Sequence, residues 1–175
     1  MRIRKAEAAD LPAIRKIHDA AFGGPAEGKL VAALVADGLD AISLLARLDD
    51  EPVGHILFSP LTVEVDGRAI PALALAPVGV TPAYQKRGIG SALIEAGLAA
   101  AREGGWAAVI VLGHPQYYPR FGFRAALTAG FQAPFQGEAF MGLELQPGAL
   151  NGHKGRIIYP VSFGIDVSGP ASATG

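Results

Sequence analysis

The sequence predicts an α/β domain. Three observations carry that class. A strand, a glycine-bearing turn, a helix and a second strand follow one another between Leu73 and Leu112. Before them lie three runs rich in β-branched and apolar residues, Ile42 to Leu48, Val53 to Phe58 and Leu61 to Val65, which read as an antiparallel meander. Earlier still, two segments repeat their apolar residues at helical spacing. At 175 residues the chain is of single-domain size. Residues 1–166 are expected to form one domain, with 167–175 a small-residue tail.

Taken in order, Ile3 to Ala6 can form a first strand. Asp10-Leu11-Pro12 then opens a helix with proline in its permitted first turn, and Leu11, Ile14, Ile17, His18 and Ala21 mark its buried face. Phe22-Gly23-Gly24-Pro25 breaks that helix, Lys29 to Ala36 starts another with Leu30, Ala33 and Leu34 on one side, and Gly38 ends it. The meander strands are separated by Asp49-Asp50-Glu51, Ser59-Pro60 and Asp66-Gly67. His55 falls inside the second of them and is expected to be a hydrogen-bonded, partly buried residue. The next strand, Leu73 to Val80, contains Pro77 and Gly79, which a regular central strand avoids, so a bulge is expected there. The helix after it reaches about Gly104 and should pack Ile89, Leu93, Ala96 and Ala100 on the sheet. Ala108 to Leu112 is a doubly buried strand. A short helix over Pro115 to Phe121, a strand from Phe123, an apolar loop holding Phe131 and Phe135, and strands over Phe140 to Leu145 and Gly155 to Phe163 complete the reading.

Composition narrows the function classes. Half the residues are hydrophobic, yet the apolar runs are short and broken by proline, glycine or charge, and none approaches the ~20 residues that span a bilayer. No membrane partner is expected. The basic N-terminus, Met1-Arg2-Ile3-Arg4-Lys5, has no apolar segment behind it and is not a secretory signal. Without cysteine the chain can form neither disulfides nor thiolate metal sites, which suits the cytoplasm, and no metal is expected. A formal net charge of −1 with no basic block argues against a nucleic-acid partner.

The turn Gln85-Lys86-Arg87-Gly88-Ile89-Gly90 is the focus of the chain. Gly88 and Gly90 let backbone come close to a ligand, while Ile89 anchors the turn. The following helix starts with unpaired N–H groups and a partial positive charge, worth roughly 0.3 to 1 kcal/mol per anionic group. A phosphate or pyrophosphate is the natural occupant. Two commoner phosphate motifs fail. A Walker A loop would put lysine after the closing glycine, where this chain has Ser91. A dinucleotide fingerprint would have a third glycine at Leu93.

Gln85, Gly88 and Gly90, preceded by Val78-Gly79-Val80, resemble the acyl-CoA loop and coenzyme-facing strand of the GNAT N-acetyltransferases. Tyr118-Pro119-Arg120-Phe121-Gly122-Phe123 resembles that family's Tyr-x-x-x-Gly-Phe signature, and the run Gly113-His114-Pro115 before it is similar to one shared by a bacterial group of such proteins. The resemblance covers most of the chain. It implies a GNAT fold: a central mixed, mostly antiparallel sheet, splayed between the fourth and fifth strands and flanked by helices. It further implies an acetyltransferase that uses acetyl-CoA as co-substrate, held by Val78, Gly79, Val80, Gln85, Lys86, Arg87, Gly88, Ile89, Gly90 and Ser91. The pantetheine arm would pair with the splayed strand much as an added strand does.

The same resemblance sets expectations for the reaction. A backbone N–H at Val78 is the expected oxyanion donor. Tyr118 is the expected general acid for the departing thiolate, and Tyr117 is expected to be structural. Many relatives carry a glutamate base on the central strands, but Leu73 to Val80 contains no acid. His114 is a possible base because an unperturbed imidazole titrates near 6.5, and it can equally fill a His-Pro turn. The two N-terminal helices commonly wall the acceptor pocket, which makes Phe22 and Glu27 possible substrate contacts; their alternatives are core for Phe22 and a solvated helix-start charge for Glu27. With no thiol to hold an acetyl group, direct transfer in a ternary complex is expected. The acceptor would be an amine of a small molecule or peptide, and the protein a monomer or homodimer. A catalytically idle acyl-CoA sensor is the competing expectation.

Overall fold

The computed structural model describes residues 1–165, so the expected tail at 167–175 lies outside the described residues. In chain order the elements are β1 (Arg2–Lys5), α1 (Leu11–Phe22), α2 (Ala26–Ala36), β2 (Ile42–Leu48), β3 (Glu51–Val65), β4 (Arg68–Val80), α3 (Ile89–Glu103), β5 (Ala108–Leu112), β6 (Phe131–Gln132), β7 (Phe140–Glu144) and β8 (Gly155–Ile158). The strands hydrogen-bond in the order β1-β2-β3-β4-β5-β7, and β8 pairs with β3 and β6. Pairs β4–β5 and β6–β8 are parallel; β1–β2, β2–β3, β3–β8 and β5–β7 are antiparallel. This is a mixed sheet flanked by helices, the expected α/β class. Among the described residues no helix is long and apolar enough to cross a membrane.

Two compact units share the chain, one made of Met1–Ser59 and Ala76–Ala101, the other of Pro60–Leu75 and the described residues from Arg102 onward. In the first unit, the Arg4 guanidinium grips Asp10 through two hydrogen bonds of 2.8 and 2.9 Å, fixing the entry to α1. Those bonds hold the Asp10 carboxyl down at about 2. Helix α1 buries Ile14, Ile17 and His18 and ends where Gly23 turns left-handed at φ 71°. Helix α2 begins three residues before its expected start and buries Gly28, Val31 and Leu34. Gly28 lies against α1, where a Cβ would come within 2.9 Å of Asp19 Oδ1. Strands β2 and β3 join through Asp49-Asp50, both left-handed, which makes a two-residue hairpin without glycine.

The expected break at Ser59-Pro60 is absent, and β3 runs unbroken through both residues. Along β3 the last pair with β2 is Phe58 and the first pair with β8 is Thr62. Proline has no N–H to give a ladder, and Pro60 sits in the interval between those two partners. Strand β4 likewise begins at Arg68, five residues before the expected Leu73, because the Asp66-Gly67 turn (φ 50° and 79°) folds the chain straight back. It continues to Val80 through Pro77, whose peptide bond with Ala76 is cis. The parallel ladder between β4 and β5 spans only Ala72–Ala74.

Helix α3 follows the expected bounds and buries Ile89 and Leu93 as expected, but the rest of the expected face is displaced. Its buried residues are Ile89, Leu93, Ile94, Gly97, Leu98 and Ala101, so Ala96 and Ala100 lie on the flank. The stripe is rotated because Gly97 admits the ring of Phe58: a Cβ at Gly97 would overlap Phe58 Cε2. Alanine is intrinsically the better helix former by about 1 kcal/mol, yet here overpacking against a fully buried ring costs about 1 to 3 kcal/mol. Gly97→Ala is therefore expected to lower the urea midpoint, against helix propensity. A raised midpoint would show that Phe58 moves aside freely.

In the second unit, β5 pairs with β7 from Ala108↔Glu144 to Leu112↔Phe140. Phe131, Phe135 and Phe140 join one core with Val63, Ile110 and Ile157, so the apolar loop is core. Three further expectations change. Pro115 to Phe121 contributes only a 3-10 turn at Tyr118–Phe121; Phe123 opens no strand but leads to a single bridge, Arg124↔Gly142; and Gly155 to Phe163 ends as a strand at Ile158. The Asp66 carboxylate accepts from the backbone N–H groups of His153 (3.0 Å) and Lys154 (2.8 Å), pinning the β3–β4 turn to the segment before β8.

Candidate active site

The expected coenzyme residues form one continuous path in the first unit. From the end of β4, Pro82–Tyr84 makes a 3-10 turn that brings Gln85 back, and the Gln85 side-chain amide donates to the Val80 carbonyl at 2.9 Å. The Thr81 N–H donates to the Val53 carbonyl at 2.9 Å, so the start of the turn is tied to β3. Lys86 (φ 63°) and Gly88 (φ 80°) are both left-handed, and the Gly88 carbonyl accepts the Ala92 N–H at 3.0 Å as α3 begins. Gln85 to Gly88 are exposed, whereas Ile89 is buried to 4% exposure and anchors the loop. The result is a solvent-facing curl of backbone that feeds a helix whose first N–H groups have no intrahelical partners. The Arg87 guanidinium lies 5.4 Å from the centre of the Tyr84 ring, and the Tyr84 hydroxyl donates to Glu51 at 2.8 Å. The positive φ at Lys86 was not foreseen from a residue type that rarely adopts it.

Gly79 has a second reason to be glycine. A Cβ there would come to 2.6 Å from His18 Nδ1 and 3.3 Å from Phe22 Cε2. Phe22 is not core: it is 43% exposed at the last residue of α1, and its ring stacks on His18 with centroids 6.0 Å apart. Glu27 is half-buried in the first turn of α2.

Behind Gly79 is an array that residue-by-residue reading did not assemble. His18 Nε2 lies 2.8 Å from His55 Nδ1, and His55 Nε2 lies 2.8 Å from Ser43 Oγ. Both histidines are fully buried; His55 is hydrogen-bonded as expected but lies deeper than the partial burial expected of it. Burial pushes His18 down to about 4; burial, together with the neighbouring His18, pushes His55 down to about 3, against a small upward pull from Asp10. Both rings are therefore neutral at physiological pH. His18 Nδ1 has no hydrogen-bond partner among the described residues. Partners 37 and 12 residues apart leave no local spacing to read; the only signal was one histidine on an apolar helix face and another in an apolar strand.

In the second unit, Tyr118 opens the 3-10 turn and is buried to 7% exposure. Its ring packs edge-on against Tyr117 and Phe123 at 5.3 and 5.7 Å. A Cβ at Gly113 would overlap Tyr118 Cε2, so glycine here lets the ring pack directly on the backbone. Burial raises the Tyr118 phenol to about 12. His114 is exposed, and its carbonyl accepts the N–H groups of Tyr117 (3.0 Å) and Tyr118 (3.2 Å), which supports the turn-building alternative. A cavity of about 360 Å³ in this unit, lined in part by Phe131, Glu144, Leu150 and His153, contains none of the expected site residues.

A mixed sheet with an exposed glycine-bearing turn between β4 and α3 is the arrangement that the resemblance to the acetyltransferases implies, and comparison with known proteins agrees. The model of the acetyltransferase (GNAT) domain matches residues 2–126. The uncharacterized N-acetyltransferase YjhQ of Escherichia coli K12 is 40% identical over 159 residues, 85% of this chain and 86% of its own. The crystal structure of E. coli YhbS, a GNAT family N-acetyltransferase in complex with CoA, has a TM-score of 0.84 at 34% identity, covering 93% of this chain and 91% of that one. A GNAT family acetyltransferase from Brucella melitensis, in complex with acetyl-CoA, gives 0.77 at 35% identity over 93% of this chain and 97% of that one. The chain belongs to the GNAT family and is an acetyltransferase.

Proposed function

We propose that the protein transfers the acetyl group of acetyl-CoA to a primary amine, on a small molecule or a peptide, within a ternary complex. The observation that carries this reading is the Gln85–Gly90 curl on the start of α3, with Gly88 left-handed and solvent-facing. The CoA and acetyl-CoA complexes of the two structural relatives support it. On this reading the backbone of Gln85 to Ser91 receives the pyrophosphate, and Lys86 and Arg87 offset its charge. Val78 to Val80 pair with the pantetheine amides, and the Val78 N–H receives the carbonyl oxygen as charge develops on it. The amine nitrogen attacks the thioester carbon; the C–N bond forms, the C–S bond breaks and its electron pair leaves on sulfur. Tyr118 hydrogen-bonds that departing sulfur, and Phe22 and Glu27 contact the acceptor.

Acetyl-CoA should raise the melting temperature, while NAD and ATP should not do so comparably. A ligand at about 100 times its dissociation constant adds roughly 2.7 kcal/mol, enough for a visible shift. Gly88→Glu, which puts a carboxylate at the pyrophosphate position, is expected to abolish the shift. Gly88→Asn tolerates a positive φ and serves as the control for backbone strain, retaining the fold with a weakened shift. A shift with ATP and none with millimolar acetyl-CoA would sink the reading. Initial rates over both substrates should intersect; parallel lines with a trapped acetyl-protein would exclude direct transfer.

A further inference from the structure

The Ser43–His55–His18 chain is buried polar structure that the coenzyme site does not use. Satisfying polar groups is the rule for protein interiors, and an isolated nitrogen at the end of such a chain needs an explanation. His18 Nδ1 points at the one residue of the coenzyme-facing strand that has no side chain, since a Cβ on Gly79 would stand 2.6 Å from it. Gly79 adjoins Val78, whose N–H is the proposed oxyanion donor. The exposed ring of Phe22, at the end of α1 and followed by Gly23 and Gly24, is the cover over this spot.

We propose that His18 is the proton acceptor for the attacking amine, with His55 and Ser43 positioned behind it as a relay, and with Phe22 the ring that the acceptor displaces to reach it. The proposal rests on the acetyl-CoA reading above and supplies the base that β4 lacks. The tautomers follow from the geometry. A buried N–H without an acceptor is the costlier orphan, so the bare lone pair belongs on His18 Nδ1. His18 Nε2–H then donates to His55 Nδ1, and His55 Nε2–H donates to Ser43 Oγ.

As the C–N bond forms, the amine carries a surplus proton, which passes to His18 Nδ1 directly or through one water. The Nε2 proton of His18 moves to His55 Nδ1, the Nε2 proton of His55 moves to Ser43 Oγ, and the hydroxyl proton of Ser43 leaves to water. Ser43 keeps 9% exposure and is the outlet. Each ring ends neutral with its tautomer reversed, and no buried imidazolium is stored. Burial that holds both rings neutral therefore favours the relay, although it would make either ring alone a weak base.

Two measurements test this. In the imidazole ¹⁵N spectrum of the free protein, His18 should show a bare Nδ1 and a protonated Nε2; a proton on Nδ1 overturns the proposal. CoA release is then followed with spermidine, tyramine and an alanine-initiated tetrapeptide. His18→Gln keeps a hydrogen bond toward His55 but cannot accept and pass on a proton, and its kcat should fall at least about 10²-fold with the KM for acetyl-CoA little changed. His55→Gln should behave similarly. Ser43→Ala should lose part of kcat, and Ser43→Thr should restore it, a rescue that a packing role would not produce. Folded His18→Gln with wild-type kcat overturns the relay alone. Wild type that binds acetyl-CoA yet acetylates none of the amines overturns the relay and the amine-transfer reading together.

Discussion

Tyr118→Phe is expected to lower kcat by about 10²-fold or somewhat more while leaving acetyl-CoA affinity nearly unchanged. General-acid groups typically contribute about 10² to 10⁴-fold. The burial that raises the Tyr118 phenol to about 12 places it at the lower end of that range. A thiol titrates near 8.5, so full proton transfer from such a phenol to the departing thiolate runs uphill, and the hydroxyl works by donating a hydrogen bond as charge develops. The variant keeps the ring that fills the space beside Gly113 and packs on Phe123, so the fold is retained. Steady-state kinetics together with acetyl-CoA binding decide the matter. Unchanged kcat makes Tyr118 a packing residue, and a lost fold or lost affinity makes its hydroxyl structural.

The second large effect is on stability in mild acid. His18 and His55 are neutral when folded, with values depressed to about 4 and about 3, but titrate near 6.5 when unfolded. Between those values the unfolded chain binds more protons, so stability falls as pH falls. The contribution is fully present above about pH 6.5 and is lost on the way down to about 4 for His18 and about 3 for His55. For His18 it amounts to about 3 kcal/mol, with His55 adding a loss of the same order. Asp10 acts in a lower window: its carboxyl, held at about 2 by Arg4, gives stability that persists until pH drops below about 4. Urea titrations between pH 7.5 and 4.5 should show the loss, and His18→Gln should flatten the slope. A flat wild-type profile would mean that the histidines charge without unfolding the site.

Much of the fold was legible because its signals are local. The strand–turn–helix–strand order around Gln85 to Gly90, the helix break at Gly23 and the doubly buried run Ala108 to Leu112 all depend on residues close in sequence. What failed to show in the sequence depended on partners far away. Pro60 reads as a strand breaker until β3 is seen to change partner there. Ala96 and Ala100 fit a helical stripe as well as the true face does, and only the Phe58 ring against Gly97 selects between them. In the site, Gly79 and Gly113 were noticed as glycines, but their reasons are His18 and Tyr118 rings that pack where a Cβ would be. The Ser43–His55–His18 chain was invisible for the same cause: three unremarkable residues become an array only through tertiary contact.

The carboxylate of Asp66 bears on how the second unit is assembled in time. The turn it sits in can form as soon as β3 and β4 meet, because that contact is local. Its hydrogen-bond acceptors, by contrast, stay with water until His153 and Lys154 arrive, 87 and 88 residues later in the chain. Closing so long a loop is slow relative to hairpin formation even though each doubling of its length adds only about 0.6 kcal/mol of entropy. During synthesis, at roughly 5 to 20 residues per second, that interval lasts several seconds, and throughout it the outer edge of β3 from Thr62 to Val65 has no strand to pair with. The nascent chain thus carries an open β edge until β8 emerges, and β8 is the element that closes it.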